Sequence, residues 1–125
     1  AGLGRGARVA SICTGAFALA AAGLLDGRRA TTHWQHLGDL EAQFPLVQID
    51  RDVLYVDNGS VLTSAGMCCG IDMCLHLLMR DLGAATANRV ARALVAPPPR
   101  EGGQAQYVTA AVAMNSRPLS FAVTV

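Results

Sequence analysis

An α/β fold with a mostly parallel sheet covered by helices follows from three observations in this chain. Short apolar or β-branched runs alternate with helical patterns, and the connections between them are brief, which is the layout of βα units. The run Arg8-Val9-Ala10-Ser11-Ile12 passes through Cys13-Thr14-Gly15 straight into an alanine-rich stretch, and a second strand-to-helix turn stands at Ser64-Ala65-Gly66. Only one strongly apolar strand precedes the first junction, whereas a doubly wound sheet brings several βα units before such a central strand. The pattern therefore reads as the second half of a domain, without the N-terminal βα units.

Taken in order, residues 8–12 are expected as a buried strand and 14–25 as a helix closed by Asp26-Gly27. Residues 29–33 form a short second strand, because Ala30-Thr31-Thr32 is compact and β-branched. Leu37 to Phe44 makes a short helix stopped by Pro45, and 46–50 a weak strand. Val53–Val56 and Ser60–Thr63 flank Asp57-Asn58-Gly59, and Asn-Gly is the preferred pair of a type I′ hairpin. A helix from about Cys69 to Leu82 carries Ile71, Met73/Cys74, Leu75, Leu78 and Leu82 on an apolar face and ends at Gly83. A more polar helix over 86–95 stops at Pro97-Pro98-Pro99. The domain portion is thus 1–99. Residues 100–125 divide into a polar, glycine-rich, linker-like segment and an apolar tail, 108–125, with no clean period.

Composition narrows the function classes. Apolar residues make up 52% and the formal net charge is +1, which gives no electrostatic footprint for nucleic acid or a membrane surface. Arg89 and Arg92 on the last helix are explained by a solvated face. No apolar run is long enough to span a bilayer, and no signal peptide is visible, so a cytoplasmic protein is expected. Four cysteines with no CxxC motif read as reduced thiols; Cys68, Cys69 and Cys74 are expected to act as small core hydrophobes, rather than Cys69 and Cys74 joining His76 around a metal. No metal and no cofactor are expected.

The chemistry centres on Cys13. A sharp turn between strand and helix lifts the sulfur out of the sheet, and the helix N-terminus sets backbone N–H groups beside it. The amide of Thr14, the residue after the nucleophile, is expected to hold developing negative charge, and Gly15 beside it is expected to bind the ligand. A cysteine nucleophile needs a base. Of His33, His36 and His76, His33 is expected at a strand C-terminus, on the sheet edge where α/β proteins bind ligands. Trp34 reads either as a pocket wall or as core packing, and Gly66 faces the same edge. Asp26, Asp39 and Glu41 lie near in sequence, but none is assignable as a third member.

Ile12-Cys13-Thr14-Gly15-Ala16-Phe17, Ala22-Gly23-Leu24-Leu25-Asp26-Gly27, Ala30-Thr31-Thr32-His33-Trp34 and Leu62-Thr63-Ser64-Ala65-Gly66 resemble the ThiJ/PfpI, class I glutamine-amidotransferase-like superfamily. The nearest likeness is to the sensor domains of AraC-type transcriptional regulators, and residues 90–107 resemble the join to their helix-turn-helix module. The resemblance implies a flavodoxin-like sandwich, a homodimer, and a small-molecule effector. It places Cys13 at the family's elbow and His33 at the histidine paired with it, with Thr14 following the nucleophile as in the isonitrile-hydratase-like branch. The expected function is a ligand- or redox-sensing domain that touches DNA only through a helix-turn-helix module absent from these residues. The alternatives are a cysteine-dependent hydrolase or hydratase of the same superfamily, and an inactive truncated product.

Overall fold

The computed structural model describes residues 3–106; the expected apolar tail, 108–125, lies outside them. Five strands and four helices follow in the order β1 (Val9–Ile12), α1 (Gly15–Ala21), β2 (Arg29–Ala30), α2 (Leu37–Gln43), β3 (Gln48–Ile49), β4 (Tyr55–Asp57), β5 (Val61–Ser64), α3 (Met67–Leu82) and α4 (Ala84–Ala93). Among the described residues β1 pairs in parallel with β5, β2 in parallel with β3, and only the β4–β5 hairpin is antiparallel. The strands form a three-stranded sheet, β1-β5-β4, and a separate pair, β2-β3.

β5 is the axis of the fold. All four of its residues are buried, and alternation sends successive side chains to opposite faces. Val61 joins a core of Ala16, Ala20, Leu25, Leu40 and Val47 beneath α1 and α2. Leu62, next along, joins Leu54, Tyr55 and Met73 beneath α3. A strand covered on both faces needs apolar or small residues throughout, which Val-Leu-Thr-Ser supplies. Full burial of Leu25, Leu40, Leu62 and Leu75 contributes roughly 1.5–3 kcal/mol per side chain. The layering is the expected α/β sandwich.

Several elements differ from the sequence expectation for identifiable reasons. β1, expected buried, buries only Ser11, and Ile12 is 41% exposed. Among the described residues no strand pairs with its outer edge, and Ile12 faces α3, closely enough that a Cβ on Gly70 would lie 2.8 Å from it. The second strand stops at Ala30 because Thr31 and Thr32 turn their polar groups to other partners. The Thr31 N–H donates to Thr63 Oγ1 (3.0 Å), and Thr32 Oγ1 donates to the Cys13 carbonyl (2.7 Å). The hairpin does not use Asn-Gly as a type I′ pair. Asn58 is absent from the residues with positive φ, whereas Gly59 has φ +82, and Asn58 N–H donates to the Val61 carbonyl (3.0 Å). Gly59-Ser60 are thus the central residues, with positive φ at the first alone, as in a type II′ turn. Asn58 Nδ2 instead donates to the Arg29 carbonyl (2.5 Å), tying the hairpin to β2.

On α3 the expected apolar face is shifted. Met73 and Leu75 are buried, but Ile71 is 43% and Leu82 63% exposed, while Asp72 is buried. The reason lies in the segment expected to be linker-like. Arg100 donates from Nε (3.0 Å) and Nη2 (2.6 Å) to one oxygen of Asp72. Tyr55 Oη donates to the Arg100 carbonyl (3.0 Å), and Leu54 N–H to the Gly102 carbonyl (2.6 Å). A Cβ at Gly102 would lie 2.7 Å from the Tyr55 carbonyl oxygen, so only glycine permits this approach. Residues 100–106 are thus anchored to the domain at Arg100 and Gly102, and Gln106 is buried. No helix among the described residues is long and apolar enough to cross a membrane.

Candidate functional site

Cys13 has φ +55, a left-handed conformation that costs a non-glycine residue of order 1–3 kcal/mol and persists only where its surroundings over-determine it. Here they do. The Cys13 N–H donates to the Ser64 carbonyl (3.0 Å), extending the β1–β5 ladder by one rung, and the Cys13 carbonyl accepts from Thr32 Oγ1 (2.7 Å). Both backbone polar groups of the turn are held by neighbouring elements while α1 starts two residues on, at Gly15. This is the geometry of a nucleophile elbow. Thr14 takes the N-cap position of α1 without a side-chain capping bond, and a Cβ on Gly15 would lie 3.3 Å from Ser11 Cβ.

His33 is not at a strand end. It caps a short 3-10 turn, Trp34–His36, with Nδ1 accepting the Gln35 N–H (3.3 Å). That bond assigns the neutral ring its proton at Nε2, which makes Nε2 a donor rather than a base. The ring packs near Trp34 (centroids 5.7 Å apart) and His36 (5.9 Å), and Gly66 lies against its edge, where a Cβ would be 4.0 Å from Cδ2. Among the described residues no hydrogen bond joins His33 to Cys13, and none joins His33 to a carboxylate. Asp39, one of the three acidic candidates, faces His36 instead (3.5 Å).

His33, Trp34 and Gly66 do come together, as walls of a cavity of about 260 Å³ completed by Ala65, Cys69 and Gln106 and by the exposed start of α3. Cys13, Thr14 and Gly15 do not line it. Cys13 is linked to the residue before His33, through the bond from Thr32 Oγ1 to the Cys13 carbonyl. Sequence reasoning missed Thr31, Thr32 and Gln106. Two adjacent threonines ahead of a histidine were a signal, since a buried hydroxyl must find a partner; nothing local marks Gln106.

All four cysteines are free thiols, but Cys68 and Cys74 are exposed rather than core residues, and only Cys69 of the three packs against the α3 core. No three metal-ligating side chains converge among the described residues. A second ionisable cluster lies at the hairpin, away from this cavity. Asp57 accepts from His76 Nε2 (2.8 Å), from the Gly59 N–H (2.8 Å) and from Arg80. Burial pulls the Asp57 carboxyl upward, but these hydrogen bonds together outweigh it and hold the group below its ordinary 3.8.

Comparison with known proteins agrees with this architecture. The chain is 39% identical over 111 residues to the isonitrile hydratase of Pseudomonas putida, covering 87% of this chain and 47% of that protein. It is 34% identical over 116 residues to the HTH-type transcriptional regulator CdhR of Pseudomonas aeruginosa (91% of this chain, 34% of the regulator). To the HTH-type regulator GlxA of Rhizobium meliloti it is 38% identical over 107 residues (81% and 33%). The chain thus spans less than half the length of these curated relatives. The crystal structure of a DJ-1 superfamily protein from Salmonella typhimurium superposes with a TM-score of 0.59 at 28% identity, over 75% of this chain and 49% of that one. The DJ-1/PfpI family model matches residues 3–80, which hold the elbow, the cavity walls contributed by His33, Trp34 and Gly66, and most of α3: the chain belongs to the DJ-1/PfpI family.

Proposed function

We propose that these residues form the ligand-sensing domain of a helix-turn-helix transcriptional regulator acting in the cytoplasm. A small molecule occupies the His33–Trp34–Gly66 cavity, and DNA is contacted by a separate module. The observation that carries this reading is the state of His33. Its Nδ1 lone pair is taken by the Gln35 N–H, leaving Nε2–H to donate to a ligand, and among the described residues no hydrogen bond arms Cys13 as a nucleophile. The cavity recognises; Cys13 serves as the cavity's neighbour or as an oxidation-sensitive thiol. The likeness to two HTH-type regulators supports this. We also propose a homodimer, supported by membership of the DJ-1/PfpI family.

The second reading, a cysteine-dependent hydratase, is favoured by the strained elbow together with the likeness to isonitrile hydratase. Thermal-shift screening of small carboxylates, amides, aldehydes and isonitriles against the parent chain, Trp34→Ala and Cys13→Ala separates them. The sensing reading expects stabilisation that is lost in Trp34→Ala, retained in Cys13→Ala, and unaccompanied by turnover. Isonitrile or amide turnover abolished by Cys13→Ala would replace it with the enzymatic one. Elution as a monomer at micromolar concentration would remove the dimer.

A further inference from the structure

We propose that Gln106 is a positioning residue that couples the Cys13 elbow and its adjoining cavity to segment 100–106, and so to the chain continuing at Tyr107. The inference deepens the sensing reading and rests on it for its biological meaning, though not for its test. Gln106 is 7% exposed, unusual for a carboxamide that follows a glycine-rich stretch, and a buried amide is costly unless bonded. Its Nε2 donates to Thr31 Oγ1 (3.0 Å) and to the Thr32 carbonyl (3.1 Å). Thr32 Oγ1 in turn donates to the Cys13 carbonyl (2.7 Å). One residue therefore separates Gln106 from the strained turn, and Gln106 itself is a wall of the cavity.

The chemistry of the link requires glutamine. Leucine would leave the Thr31 hydroxyl without its donor and the Thr32 carbonyl with only the longer bond from Thr31 Oγ1 (3.5 Å). Glutamate would aim acceptors and a charge at the Thr32 carbonyl. Another anchor of the segment, Arg100 on Asp72, is attached to α3 and, among the described residues, makes no hydrogen bond to Thr32 or Cys13. Undocking at Gln106 and relaxation at Cys13 are thus expected to accompany each other, and coupling of this kind is reciprocal.

The test uses iodoacetamide as probe, with labelling of each cysteine read by peptide mass spectrometry and amide exchange read on the same proteins. In Gln106→Leu and Gln106→Glu the labelling rate of Cys13, relative to Cys68 and Cys74, should change by at least about fivefold, the lower end of ordinary site-to-site coupling. Thr32→Val, which removes only the hydroxyl on Cys13, should change it in the same direction without releasing residues 100–106. Alkylating Cys13 in the parent should alter amide exchange across 100–106. Arg100→Gln should speed exchange in that segment yet leave the Cys13 rate within about twofold, which separates coupling from general loosening. An equal effect of Arg100→Gln, or unchanged amide exchange at Cys13 and Thr31–His33 in Gln106→Leu, overturns the proposal. Because that exchange readout needs no reactive thiol, it decides the coupling even if Cys13 proves unreactive and the sensing reading falls.

Discussion

Replacing Arg100 with glutamine tests whether residues 100–106 belong to the folded domain. The Asp72 side chain is 4% exposed and receives both Arg100 bonds on one oxygen. Removing the guanidinium leaves a buried carboxylate uncompensated, which costs about 3–5 kcal/mol where both partners are fully buried. The Arg100 side chain is 39% exposed, so solvent screens the pair and readmits water to Asp72, and we reduce the figure to about 2 kcal/mol. For a domain of this size that lowers Tm by about 8–15 °C. Asp72→Asn should cost less, about 1 kcal/mol, because Arg100 can turn to solvent while the remaining amide keeps part of its hydrogen bonding. The double variant should cost less than the sum, since each change removes the same interaction. Thermal and urea unfolding of the three variants supply the cycle. A change below about 0.5 kcal/mol in Arg100→Gln, the scale of an ordinary surface substitution, would refute the reasoning and return the segment to a linker.

Three further outcomes are expected. The Asp57 carboxyl is held below 3.8 in the folded state, so the unfolded chain binds more protons between the two values. The stability it contributes is complete above 3.8 and disappears as the pH falls through the folded value; urea titrations across this acid range should show a shallower dependence in Asp57→Asn. Ser11 Oγ is buried without a hydrogen-bond partner among the described residues, so Ser11→Ala should be neutral or stabilising by up to about 1 kcal/mol in denaturant melts. His33→Ala loses the cap on Gln35 N–H and should cost about 1 kcal/mol, whereas His33→Asn, a good capping residue, should retain most of it; equal losses would argue against the assigned role of Nδ1.

The sequence made the layers, the parallel pairing and the strand-to-helix turn at Cys13 legible because each rests on local pattern: an apolar run ending in Cys-Thr-Gly, a hairpin punctuated at Gly59, a long apolar helix. It also brought His33, Trp34 and Gly66 to one place. What stayed hidden depends on distant partners. Thr31 and Thr32 have strong β propensity, yet hydroxyl bonds to Cys13 and tertiary contact with Thr63 draw them out of the strand. Asp72 sits in an apolar helical pattern and is tolerable there only because Arg100 returns to it. Gln106 lies in a stretch whose composition says linker, and only its 75-residue reach to Thr31 shows otherwise.

The elbow assignment, on which both functional readings and the coupling to Gln106 draw, rests on a strained turn at Cys13. The most direct measurement is the labelling rate of each cysteine by limiting iodoacetamide in the unmodified chain. Cys68 and Cys74 are exposed and Cys13 is partly buried, so accessibility alone ranks Cys13 behind them. The elbow predicts the reverse, with Cys13 modified first. A rate order that follows exposure would contradict it.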